Sequence, residues 1–152
     1  MIAELEELYR AGRPEFCRVA AAIAGDRGLG EDAVQEAFAR AVRKRRSYRR
    51  RGSLEAWVWR IVVNAARDAR RRRPLLADPQ EALVSEANGH RPWVPLELLT
   101  ERQREVLFLH HYADLDYATI ADALGISPGT VGATLSTARS RLRRALTDEV
   151  KR

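Results

Sequence analysis

The sequence predicts an all-α protein built from two small helical domains joined by a flexible linker, the second domain being a helix-turn-helix. Apolar residues recur at helical spacing in both halves, and no segment alternates polar and apolar residues as a strand would. Between residues 74 and 95 the periodicity weakens, and four prolines and an Asn-Gly pair mark a linker. We therefore predict a first domain at residues 1–73, a linker at 74–97 and a second domain at 98–152.

The composition argues against a membrane protein and against a disulfide-stabilised one. Charged residues make up 32% of the 152 residues, and no apolar run approaches the roughly 20 residues that span a bilayer. The opening residues, MIAELEELYRAG, are acidic and amphipathic, unlike a secretory signal. The single cysteine, Cys17, lies among apolar residues and is expected to be a small core residue. We expect a cytoplasmic protein without membrane insertion.

Positive charge is concentrated in the first half of the chain. Residues 1–73 hold 18 Arg/Lys against 10 Asp/Glu, a net charge of +8, whereas residues 74–152 hold 9 against 11, a net charge of −2. Eight cationic residues fall between residues 40 and 51, and Arg70–Arg73 form a second cluster. This concentration favours a polyanionic partner. Nucleic acid is favoured over a membrane surface, because neither cluster lies on a basic helix with a strongly apolar insertion face.

Two helices are predicted before residue 47. The first has an apolar stripe formed by Phe16, Val19, Ala20 and Ile23, and it ends at a turn spanning Gly25–Gly30. The second is predicted from about Glu31 to Arg46. Its predicted buried positions are Val34, Ala37, Phe38, Ala41 and Val42. Its opposite face presents Asp32, Gln35, Glu36, Ala39, Arg40 and Arg43.

The next helix, SLEAWVWRIVVNAARDARRRR at residues 53–73, combines a core-like face with a cationic end. Ser53 is the predicted N-cap. The predicted core face is Leu54, Trp57, Val58, Ile61, Val62, Ala65 and Ala69, and Trp59 falls outside it. Offsets of four, three and four place Arg60, Asn64, Arg67 and Arg71 on one exposed stripe. In most helices such a stripe is a solvated face, but its continuation into Arg70–Arg73 favours a nucleic-acid groove.

The second half carries a helix-turn-helix pattern. Thr100 and Gln103 form a predicted capping box, and a helix follows through Val106, Leu107 and Leu109. Ala121, Gly125 and Val131 then have the spacing of the small residue, turn glycine and apolar anchor of a helix-turn-helix. Ser127-Pro128 predicts a sharp helix start, and Leu135, Ala138, Leu142 and Leu146 continue the core face. The second helix of this motif enters the major groove; an ordinary helical hairpin is the alternative.

The sequence offers no enzyme chemistry. No nucleophile–base pair, paired catalytic carboxylates or glycine-rich phosphate loop stands out. His110 and His111 lie near Asp114 and Asp116, but adjacent histidines point to different sides of a helix and are poorly placed to share a metal. We therefore expect no catalytic residue, no metal site and no cofactor.

Three segments together resemble bacterial RNA polymerase sigma factors of the sigma-70 family, in the small two-domain form called extracytoplasmic-function sigma factors. They are EDAVQEAFARA (31–41), SLEAWVWRIVVNAARDARRRR (53–73) and LLTERQREVLFLHHYADLDYATIADALGISPGTV (98–131). The resemblance implies a subunit that binds core polymerase, directs it to promoters and assists promoter opening. The alternative is a helix-turn-helix regulator that binds only duplex DNA, which would have no need for the first two segments.

The resemblance also implies roles for the first domain. Asp32, Gln35 and Glu36 match the surface that docks on the clamp coiled coil of the polymerase β′ subunit; Arg40 is added to this surface, and the β subunit is a further expected contact. The loop Ser47–Gly52 matches the part that captures an unstacked base of the −10 element. The implied single-strand contacts are Tyr48, Arg49, Arg50, Arg60, Asn64, Arg67 and Arg71. Base–aromatic stacking of about 1–3 kcal/mol would offset the few kcal/mol that extruding a base costs.

The second domain is expected, from the same resemblance, to bind the −35 element as duplex. The implied contacts are Ser127, Thr130, Ala133, Thr134, Thr137, Arg139 and Arg141. At Gly132, Ala133, Thr134 and Thr137 the chain has small residues where relatives commonly place Arg, Lys and polar groups. This departure predicts weak or unusual −35 readout and more reliance on the first domain. Promoter DNA and core polymerase are the expected partners, with an anti-sigma factor as a further candidate.

Overall fold

The computed structural model describes residues 1–72 and 96–150, and within them the chain is helical without strands. The helices are α1 (Ile2–Ala24), α2 (Arg27–Arg43), α3 (Leu54–Arg72), α4 (Glu101–His111), α5 (Tyr117–Leu124) and α6 (Pro128–Val150), with 3₁₀ turns at Arg45–Ser47 and Leu96–Leu98. The predicted all-α fold is confirmed. Arg73, Trp93 and most of the predicted linker lie outside the described residues. No described helix is both long and apolar enough to cross a bilayer.

Helices α1, α2 and α3 pack together around an aromatic and alanine-rich core. The predicted stripe of α1 is buried throughout, from Phe16 to Ile23. The Phe16 ring meets Phe38 of α2 edge-on at 5.2 Å and lies 4.3 Å from the ring of Trp59 on α3. One aromatic side chain therefore joins all three helices of the first domain.

The predicted bounds of α2 were wrong at both ends. The helix begins at Arg27 because the Asp26 carboxylate caps it, accepting a hydrogen bond from the Leu29 N–H at 2.8 Å. Gly30 is inside the helix and not in a turn, since α1 passes so close that a Cβ there would lie 2.5 Å from Ala21 backbone atoms. The helix ends at Arg43, and Val42, predicted to be buried, is 36% exposed.

The predicted core face of α3 was wrong about the tryptophans. Trp59 is only 2% exposed, whereas Trp57 is half-buried at the margin of the core, as are Leu54 and Ile61. The reason is that α3 carries two overlapping apolar stripes. The buried set is Ala56, Val58, Trp59, Val62, Val63, Ala65, Ala66 and Ala69. The contact with Phe16 selects the stripe that contains Trp59.

The second domain has the predicted helix-turn-helix. The Thr100 hydroxyl accepts from the Gln103 N–H at 3.1 Å while the Gln103 side chain accepts from the Thr100 N–H at 3.0 Å, which confirms the capping box. Asp116 caps α5, Gly125 ends it with a left-handed φ of 70°, and Ser127 caps α6.

The core face of α6 ends earlier than predicted. Val131, Leu135 and Ala138 are buried, but Leu142 is half-buried and Leu146 is 39% exposed. At 1.5 Å per residue, the 23 residues of α6 span roughly 34 Å while the 11 residues of α4 span roughly 16 Å. The C-terminal part of α6 therefore runs past the helices that could cover it.

Candidate nucleic-acid interface

The exposed face of α2 presents the acidic and amide group predicted for polymerase docking. Asp32, Gln35 and Glu36 are all exposed, and the three- and four-residue spacing places them on one side of the helix. Glu36 lies 3.6 Å from Arg40 and 3.2 Å from Arg43. These pairs are open to solvent, so they contribute little to stability and leave the carboxylate available to a partner.

An arginine-rich loop between α2 and α3 folds back on itself through Tyr48. The Tyr48 hydroxyl donates to the Gly52 carbonyl at 2.8 Å, and its ring lies 5.4 Å from the Trp57 ring. Arg49 and Arg50 are exposed, and Arg50 adopts a left-handed backbone with φ of 56°. Tyr48, the aromatic predicted to meet a base, is thus one member of a half-buried pair with Trp57, and cations lie on the adjoining loop.

The predicted stripe on α3 lies on one side of the helix. Arg60, Asn64 and Arg71 are exposed, and Arg67 is half-buried. The Arg67 guanidinium donates to the Asn64 side-chain oxygen at 3.1 Å. The stripe therefore places a hydrogen-bonding amide between cations, an arrangement suited to one strand of nucleic acid.

The second domain lies against this stripe. The Nε and Nη2 atoms of Arg67 donate to the two carboxylate oxygens of Glu105 on α4, each at 2.5 Å. Arg60 donates through Nη2 to the backbone carbonyl of Asp122 on α5. Hydrogen bonding to Glu105 raises the pKa of Arg67 above its ordinary value, so this arginine is charged throughout the physiological range.

Sequence reasoning did not single out Glu105. Its side chain is 2% exposed, between the buried residues Gln103 and Val106. The sequence does contain a signal for it, an acidic residue within the apolar run of a helix. Such a residue indicates a hydrogen-bonded or charged partner, because a buried carboxylate requires one. The sequence could not identify that partner, since Arg67 lies 38 residues away in the chain.

On α6 the predicted duplex contacts divide into exposed and engaged residues. Thr130, Ala133 and Thr137 are exposed, while Thr134 is half-buried. The Ser127 hydroxyl caps the helix and is also hydrogen-bonded to the Thr130 hydroxyl at 2.8 Å. The exposed face is therefore small and uncharged at its N-terminal end.

The two predicted arginines of α6 are placed differently from one another. Both are exposed, but Arg141 also extends toward the start of its own domain, 3.4 Å from the Leu98 carbonyl and 3.5 Å from the Gln103 amide oxygen. The Gly132 position faces the ring of Tyr117, and a Cβ added to this glycine would lie 3.4 Å from the nearest ring atom. A methyl group would fit there at ordinary contact distance.

Across residues 1–72 and 96–150 no group of three or more His, Cys, Asp or Glu side chains is placed to hold a metal ion. His110 and His111 have ring centroids 5.4 Å apart, with planes at 77°. Burial lowers the pKa of His111, and the neighbouring His110 and Arg139 lower it further. The neutral imidazole is thus favoured in the folded chain.

Family models match both domains. Sigma-70 region 2 matches residues 8–74, and Sigma-70 region 4 matches residues 96–142. The chain belongs to the sigma-70 family. The resemblance seen in the three sequence segments is confirmed, and this sigma factor is of the extracytoplasmic-function type. The alternative of a duplex-only regulator is not favoured, since region 2 is present beside the helix-turn-helix.

Relatives of this sigma factor align along most of its length. It is 29% identical to the RNA polymerase sigma-E factor of Streptomyces coelicolor over 154 positions, covering 95% of this chain and 87% of that one. It is 32% identical to the ECF RNA polymerase sigma factor SigG of Mycobacterium tuberculosis, covering 74% of this chain and 40% of that one.

Solved structures with the same fold carry 22% sequence identity. CnrH, solved in complex with the cytosolic domain of CnrY, superposes with a TM-score of 0.75 over 95% of this chain and 88% of that one. The sigma factor RpoE, solved with the anti-sigma factor NepR from Bartonella quintana, gives 0.68 over 95% of this chain and 97% of that one. Both superpositions confirm the fold.

Proposed function

We propose that this sigma factor docks core RNA polymerase through α2, holds the melted −10 strand along α3 and contacts duplex −35 DNA through α6. The observation that carries the proposal is that the first domain presents two chemically different surfaces. The acidic and amide face of α2 and the cationic stripe of α3 lie on different helices of one three-helix core. The two surfaces are therefore suited to different partners. The same division supports domains at residues 1–73 and 98–152 with a linker at 74–97.

A groove beside the α2 face strengthens the case for protein docking. It has a volume of about 640 Å³ between α1 and α2, and Leu5, Phe38 and Val42 contribute apolar walls while Gln35 lies on its border. An apolar centre with a polar rim is the usual anatomy of a protein–protein interface. We assign Asp32, Gln35 and Glu36 to the rim, with Arg40 next to them.

On the DNA side, arginines and polar residues have separate roles. Arg60, Arg67 and Arg71 hold phosphates, and Tyr48 and Asn64 meet bases. A cationic track with an aromatic ring is the usual basis of single-strand binding. The small, uncharged start of α6 supports weak or unusual −35 readout, because phosphate contacts supply much of duplex affinity.

Partners, location and chemistry follow from this role. Core polymerase and promoter DNA are the principal partners, acting in the cytoplasm, and the sigma factor itself performs no catalysis. Because RpoE is described in complex with an anti-sigma factor, we propose an anti-sigma protein as a further partner.

Glu36→Lys tests the polymerase surface. Reversing this exposed charge should weaken binding to core polymerase by at least about tenfold, because opposed like charges at an interface cost several kcal/mol. Binding is measured by co-elution and by titration of labelled sigma factor with core enzyme. Glu7→Lys, the same reversal at an exposed site on α1, is the matched control. Equal affinities for the two variants would exclude α2 as the docking face.

Asn64→Ala tests the strand-binding surface separately. The variant should bind core polymerase normally but open promoters poorly, because the lost amide is assigned only to the melted strand. Promoter melting is followed by permanganate reactivity of unpaired thymines. A premelted template should restore transcription, and loss of polymerase binding together with melting would indicate misfolding and not a base contact.

A further inference from the structure

Two nitrogen-bearing side chains, His111 and Arg139, lie beside the N-terminal part of α6. His111 is the last residue of α4, Arg139 belongs to α6, and both side chains are exposed. Within the part of the chain that the structure describes, neither takes part in a hydrogen bond or an ion pair. Their nitrogen atoms are therefore available to a ligand from outside the chain.

Aromatic contacts place this pair next to the start of α6. The His110 ring lies 5.4 Å from that of His111 and 5.9 Å from that of Tyr117 on α5. The Tyr117 ring in turn faces Gly132, where an added Cβ would lie 3.4 Å from the nearest ring atom. Arg139 follows Gly132 by about two helical turns, so the two residues lie on the same side of α6. His111 and Arg139 thus flank the small, uncharged start of this helix.

The charges around His111 favour its neutral form in the free chain. Partial burial lowers the pKa of this imidazole, and His110 and Arg139 lower it further. The acids that follow it in the chain do not pair with it: Asp114 is exposed in the loop, and Asp116 caps α5. Because no carboxylate among the described residues forms an ion pair with His111, a bound anion would supply the missing negative charge.

We propose that His111 and Arg139 form a phosphate-binding pair for duplex DNA beside α6, and that His111 takes up a proton from solvent when the phosphate binds. The proposal rests on the proposed contact of α6 with the −35 duplex, whose groove is bordered by phosphates. A phosphate accepts charge-assisted hydrogen bonds from both side chains, which offsets the lack of cations at residues 132–137. Because the bound anion favours the charged imidazole, duplex affinity increases as pH falls through the range in which histidine titrates.

The pH and salt dependence of duplex binding tests the pair. The probe is a fluorescent DNA duplex of mixed sequence, titrated by anisotropy with the full chain at about pH 6 and at about pH 8. Binding should be about 3- to 10-fold tighter at the lower pH. The plot of log affinity against log salt concentration should also be steeper there by about 0.9, because one more phosphate is neutralised. His111→Gln should abolish both differences.

Two matched variants separate this contact from a general effect of pH. His111→Arg carries a permanent charge, so it should bind tightly at both pH values. His90→Gln removes a histidine outside the described residues and should keep the full pH dependence. A pH dependence that survives His111→Gln, or that His90→Gln abolishes, would overturn the proposal. Duplex binding that is independent of pH would overturn it while leaving the contact of α6 intact, whereas no duplex binding at either pH would refute both.

NMR titration of the His111 imidazole gives a readout that a purely structural role would not change. The pKa of His111 should be higher in the presence of the duplex than in its absence, because the phosphate favours the charged ring. In the free chain, Arg139→Gln should raise the pKa of His111, since it removes a neighbouring positive charge that lowers it. A His111 pKa that the duplex leaves unchanged would overturn the proposal. One that Arg139→Gln leaves unchanged would show that the two side chains do not form a pair.

Discussion

The identity of the buried tryptophan can be tested by a matched pair of substitutions on α3. Trp59 is 2% exposed, and its ring lies 4.3 Å from that of Phe16. Truncating a fully buried tryptophan costs about 3–5 kcal/mol. Trp57 is half-buried and its main ring contact is with Tyr48 at 5.4 Å, an interaction worth about 0.5–1.5 kcal/mol beyond area burial. We therefore expect Trp59→Ala to lower the free energy of unfolding by at least about 2 kcal/mol more than Trp57→Ala.

The assay is urea unfolding of the full chain, followed by far-ultraviolet circular dichroism so that loss of a tryptophan does not change the probe. Unchanged m-values would show that both variants retain the native compactness. Trp59→Phe and Trp57→Phe keep a ring at each site. Their losses in free energy of unfolding should rank in the same order as those of the alanine variants, with a smaller difference between them. If Trp57→Ala lowered the free energy of unfolding as much as Trp59→Ala or more, the assignment would be refuted and Trp57 would be the core tryptophan.

Three further predictions concern the second domain and the helix contacts. Thr134→Arg should strengthen binding to −35-type duplex, measured by anisotropy. Ser136→Arg, which lies about 200° round the same helix, should not strengthen it. Equal gains in affinity for the two variants would indicate a charge effect alone. Gly132→Ala should raise the free energy of unfolding by up to about 1 kcal/mol, while Gly30→Ala should lower it because its Cβ would collide with α1. The pKa of His111, measured by NMR, should lie below the ordinary histidine value of about 6.5. Because the folded pKa is lowered, the contribution of His111 to stability is present above the ordinary pKa and is lost as pH falls through the folded pKa. Titration at or above the ordinary value would show that neither desolvation nor the neighbouring His110 and Arg139 acts on this imidazole.

Local signals were sufficient wherever a residue acts on its own neighbours. The Thr100 capping box, the Ser53 and Ser127 caps and the left-handed Gly125 were all predictable, because each involves atoms within a few residues. The start of α2 was missed although Asp26 offers the same type of cap. There the glycines suggested a turn, and only the proximity of α1 explains why Gly30 lies inside a helix.

The sequence by itself determined the helical class, the order of the elements and the segments that mark a sigma factor, because helical periodicity, capping chemistry and motif spacing are local properties of the chain. Tertiary structure decided which of two overlapping stripes on α3 is buried, since Phe16 selects Trp59 over Trp57. It also decided what faces the cationic stripe, where Arg67 meets Glu105. Such a pairing joins residues 38 positions apart, and no local pattern specifies a contact made only when two domains come together.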